Sequence, residues 1–131
     1  MSPRWITPEA RTRLDTLLGL SQLGSQDWEL ELADMDRLGK FVTLYEGGNL
    51  NDDERFALMA LIVASWDDHV SAGRRDDSLE MRIQTHLSRQ FELHETTIRY
   101  WSRNDALNPD AIFSITPSMR NILARRLNRA S

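Results

Sequence analysis

The chain contains no cysteine. That absence removes disulfide bonds, thiolate catalysis and cysteine-ligated zinc together, and it fits a cytoplasmic protein. No stretch reaches the roughly 18 consecutive apolar residues that a membrane span requires, so no membrane insertion is expected. The first residues, MSPRWITPEARTR, lack the apolar core of a signal peptide, and no leader is expected there. No catalytic signature stands out, and no cofactor is expected.

What is present points to one all-α domain over residues 1–131. Hydrophobic content of 40% beside 27% charged residues is ordinary for a soluble domain, so a single packed core is expected. Its centre is Asn51 to Val70, NDDERFALMALIVASWDDHV. Nine residues from Phe56 to Ala64 carry no charge, which is long for a strand and ordinary for a helix. A helix that is apolar on every side must be buried on every side. Asn51 followed by Glu54 predicts a capping box, and Asp52, Asp53 and Glu54 suit the positive end of the helix dipole. Gly73 marks the stop.

About five helices are expected around this one, which itself covers about 52–70. Thr7-Pro8 opens the first, with Leu14, Leu17 and Leu18 as its apolar stripe. Residues 27–33 fit both an extended and a helical pattern. An extended lead-in is favoured, with Asp34 capping a helix from Met35 to about Glu46 that ends at Gly47-Gly48. From Ser78, the residues Ile83, Leu87, Phe91, His94, Ile98 and Trp101 form one helical face, carried by one helix or by two with a break near Leu93, Thr96 or Thr97. Ile115-Thr116-Pro117 opens the last helix, with Ile122, Leu123 and Leu127 inward. ITPEAR at 6–11 and ITPSMR at 115–120 read as the same helix-start chemistry used twice.

The net charge of −4 hides a layout. Residues 1–20 carry +1, 21–109 carry −8 and 110–131 carry +3. Within 26–54 nine acids face two bases. Phosphate would be repelled there, which disfavours nucleic acid, whereas a basic protein would be attracted. Asp27, Glu29, Glu31, Asp34, Asp36, Asp52 and Asp53 are therefore the candidate partner-binding residues. Tyr100, one step round the helix from Trp101, joins them as an edge aromatic. The competing account of Asp34, Asp52, Asp53 and Glu54 is that they cap and balance helix starts. Trp5 and Trp28 either fold back on the core or meet a partner.

Two other chemistries use different residues. Asp67, Asp68 and His69, with His94, would serve an acid/base or metal-dependent enzyme. Adjacent helix positions point about 100° apart, so the first three cannot share one ion unaided. A polar helix end and a hydrogen-bonded core histidine account for them, and no metal is expected. Arg120, Arg125, Arg126 and Arg129 would serve a nucleic-acid-associated protein, although a helix C-terminus favours such charges by itself. The expectation is a non-enzymatic interaction domain with an acidic face: a regulator, an adaptor or an immunity-type inhibitor.

Overall fold

A computed structural model describes residues 6–19, 33–102 and 113–130. Six α-helices follow one another there: α1 (Pro8–Leu18), α2 (Leu38–Gly47), α3 (Asp52–Ser71), α4 (Asp77–Arg89), α5 (Phe91–Ser102) and α6 (Thr116–Ala130). One 3-10 turn, Met35–Arg37, leads into α2. No strand occurs among the described residues.

The central helix is α3. Its start is closed reciprocally: the Glu54 N–H donates to Asn51 Oδ1 at 2.8 Å, and the Asn51 N–H donates to Glu54 Oε1 at 3.0 Å. Every residue from Phe56 to Trp66 is buried, as an all-round apolar helix requires. Ser65 sits in this run because its hydroxyl accepts the backbone N–H of Asp34 at 2.9 Å. Gly73, at φ 79°, closes the C-terminal end by donating to Val70 O at 2.9 Å. α1, α2, α4 and α5 all pack against α3, and α6 lies mainly on α5.

The 78–102 stretch divides into two helices, α4 and α5. The division falls at Gln90 (φ −112°, ψ 43°), earlier than Leu93, Thr96 and Thr97 suggest. Gln90 still donates its N–H to His86 O at 3.0 Å and accepts from His94 N at 3.1 Å. The helical register survives the bend, so Ile83, Leu87, Phe91, His94, Ile98 and Trp101 are all buried on one continuous face.

Two apolar side chains differ from expectation. Leu17 and Leu127 are 46% and 52% exposed. Met119 is fully buried beside Ile122 and Leu123 on the inward face of α6. The two ITP motifs each start a helix but use the threonine differently. Thr7 accepts the N–H of Ala10 at 3.1 Å, whereas the buried Thr116 hydroxyl donates to Trp101 O at 2.8 Å and ties α6 to α5.

Candidate functional site

Of the expected partner-binding residues, Asp27, Glu29 and Glu31 lie outside the described part, as do Trp5 and Trp28. Asp34 accepts the N–H of Asp36 at 3.0 Å and caps the 3-10 turn, so the α-helix begins at Leu38, not Met35. Asp36 pairs with Arg74 at 2.6 Å, beyond the C-terminal end of α3. Asp52 pairs with Arg55 at 3.5 Å at its N-terminal end. Asp53 is exposed beside it. Ser65, which holds Asp34, is thirteen residues past Asp52, or about 20 Å along the helix. The two described acidic groups therefore sit towards opposite ends of α3. Glu54 is buried, in its cap and in a 3.2 Å pair with Arg13, and belongs to the fold. Tyr100 is half exposed, with one ring face stacked on Phe113 at 5.8 Å.

The residues of the enzyme alternative are likewise separated. Asp67 accepts the N–H of Ile115 at 3.1 Å and so fixes the entry to α6. Burial pushes its carboxyl above the usual range, against the pull of that bond. Asp68 is exposed, and both ring nitrogens of His69 are buried without a hydrogen-bond partner among the described residues. His94 lies at the other end, stacked on Phe56. Phe56 and His69 are thirteen residues apart on α3, again about 20 Å. Among the described residues no three His, Asp or Glu side chains are grouped so as to hold a metal ion. None of the described helices is long and apolar enough to cross a membrane.

A polar cluster joins α2 to the α4–α5 bend. The Tyr45 hydroxyl donates to Gln90 Oε1 and stands 2.8 Å from His94 Nε2. A phenol has one proton; with that proton on Gln90, its oxygen is left to accept from Nε2 of His94. Burial raises the Tyr45 phenol above its ordinary value, so it remains a neutral hydroxyl. The next residue, Glu46, receives Arg82 and His86, the latter at 2.7 Å. Those two hydrogen bonds pull the Glu46 carboxyl down to about 2. The sequence signal is the four-residue spacing of His86, Gln90 and His94, which puts all three on one face toward Tyr45. Burial of Tyr45 and His94 leaves this cluster to hold helices rather than to meet a substrate.

Among the described residues an accessible groove of about 680 Å³ lies between α1, α2 and α4. Leu17, Leu18, Leu44 and Leu79 give it apolar surface, and Lys40, Asp76 and Arg82 supply charge. Gly39 and Thr43 form a low wall on α2. An apolar centre with a polar rim is the usual anatomy of a protein interface. Residue patterning passed over this site because Leu17 falls on the apolar period of α1. Gly39 was the available signal, since a glycine inside a helix costs stability and leaves the helix surface open to a close neighbour.

Comparison with known proteins finds no matching family model, no similar curated protein and no similar solved structure.

Proposed function

We propose that this chain is a non-enzymatic, cytoplasmic protein-binding domain, acting as a regulator, adaptor or immunity-type inhibitor, and that a helix of a basic partner docks between α1, α2 and α4. The groove carries this reading, above all Leu17, which stands 46% exposed at its edge. Helix-in-groove recognition needs apolar anchors in a trough between rigid elements, and helices form all three walls here. Gly39 and Thr43 let a partner backbone approach α2 closely.

The acidity of the chain enters as a field. Outside α6 the net charge is −8, since α6 holds four arginines and no acid within a total of −4. Such a field speeds encounter with a basic protein without any single carboxylate being decisive. Asp34, Asp36, Asp52 and Asp53 contribute to it from separate places, and Asp27, Glu29 and Glu31 are proposed to do the same.

The test compares the wild-type chain with Leu17→Asp. Proteins retained from native-cell extract are purified and titrated against both. A basic protein that binds the wild type, and binds Leu17→Asp about tenfold or more weakly, is the expected result. Equal affinity for both would remove the groove as the docking site.

A further inference from the structure

A second groove, of about 410 Å³, lies where the α4–α5 bend meets α6. Its lining is Ser88, Phe91, Ile122, Arg125, Arg126 and Asn128. Arg126 is braced there, with its guanidinium 5.2 Å from the centre of the Phe91 ring and paired with Glu92. Arg125 is exposed and makes no ion pair among the described residues. Arg89, also exposed, follows Ser88 at the end of α4.

We propose that this groove binds an acidic segment of a protein, a few consecutive Asp or Glu residues, with Arg125 as the principal contact. Charge complementarity selects the occupant. Arg125 and Arg126 line the groove, and Arg89 follows its Ser88, on a chain that is net negative. Fifteen of the sixteen basic residues in the chain are arginine, whose planar fork matches a carboxylate in two parallel hydrogen bonds.

The small extent of the cationic surface decides against nucleic acid. Duplex DNA brings about one charge per 1.7 Å along its whole length. α6 spans about 22 Å at the standard rise, and Glu92 and Glu95 lie on the adjoining α5. A long polyanion would run past Arg125 and Arg126 onto like charge, whereas a short acidic segment ends beside them. The inference goes beyond the α1–α2–α4 groove and names a second surface with the opposite preference.

The experiment is fluorescence anisotropy at low salt. The probes are a labelled short peptide of alternating Asp and Glu and a labelled oligothymidylate of equal charge. The proteins are the wild type, Arg125→Glu, Arg125→Gln and Leu17→Asp. The peptide should bind the wild type saturably, bind Leu17→Asp equally well, and lose about tenfold or more in affinity with Arg125→Glu. Arg125→Gln, which removes the charge without reversing it, should fall between. Unchanged affinity in both Arg125 variants, or no saturable peptide binding to the wild type, overturns the proposal. Tighter binding of the oligothymidylate than of the peptide overturns it in favour of nucleic acid. Because Leu17→Asp tests the other groove, either reading can fail without the other.

Discussion

The Tyr45 hydroxyl lies 2.8 Å from Nε2 of His94, forty-nine residues later in the chain, and that contact holds the end of α2 against the start of α5. The same hydroxyl reaches Gln90, the residue at which α4 gives way to α5. One phenol thus ties the bend to the core.

Tyr45→Phe keeps the ring and removes only the hydroxyl. The hydrogen bond between that hydroxyl and Nε2 of His94 is then lost at a site with no solvent access. Leaving a buried donor without its acceptor costs about 1–3 kcal/mol. Urea denaturation should show that loss with an unchanged slope. An unchanged midpoint would mean that the hydroxyl holds nothing.

Glu46 sets a pH dependence. Hydrogen bonds from Arg82 and His86 take its carboxyl from 4.5 down to about 2 in the folded chain. A folded-state value below the unfolded one means that the pairing stabilises the fold above about pH 4.5. That contribution is lost as pH falls towards 2. Because the pair is partly solvated, the effect should stay under about 1 kcal/mol. Glu46→Gln should flatten the stability curve between these two values, which denaturation at a series of pH values will read. An identical curve for the variant would show that the pairing is worth nothing.

The architecture was legible because burial of α3 leaves a one-dimensional trace. Nine uncharged residues flanked by Asn51 and Gly73 specify a helix, its ends and its burial together. The face from Ile83 to Trp101 was equally legible, since a bend that preserves register preserves the period. Leu17 and Leu127 were misplaced because periodicity tells which side of a helix is apolar, not whether a neighbour covers it. The groove belongs to that second kind of information. It is made by three helices far apart in the chain, and no single segment carries its pattern. Glu54 shows the same limit for charge: as sequence it is one more acid, and in the fold it is buried against Asn51 and Arg13.

Leu61 is fully buried in the middle of α3. Leu61→Asp places an uncompensated carboxylate there, at a cost of several kcal/mol against a domain stability of about 5–15 kcal/mol. The variant should lose its helical circular dichroism and its cooperative melting transition. A soluble variant with the wild-type melting temperature would contradict the central place of α3.

Glu29→Lys combined with Glu31→Lys tests the field. The double change moves the net charge from −4 to 0. If attraction guides a basic partner, association slows and its salt dependence weakens, while the melting temperature stays where it was. Stopped-flow association at two ionic strengths measures both. Unaltered rates would detach these two residues from recognition.

Gly39 separates folding from binding. It lies in the first turn of α2, exposed, and a Cβ built on it meets nothing within 4 Å among the described residues. Its backbone is not in the left-handed region, so neither conformation nor packing among the described residues calls for glycine. Alanine there removes unfolded-state freedom and improves helix propensity, by about 0.5–1 kcal/mol. Gly39→Ala should therefore raise the melting temperature of the isolated protein. If a partner helix lies against α2 in the groove, the added methyl holds it away, and larger side chains hold it further. Gly39→Leu should then weaken the partner's binding more than Gly39→Ala does, with both variants folded. A series in which stability rises and affinity stays constant would show that nothing comes close to Gly39, and the groove would lose its claim to the partner.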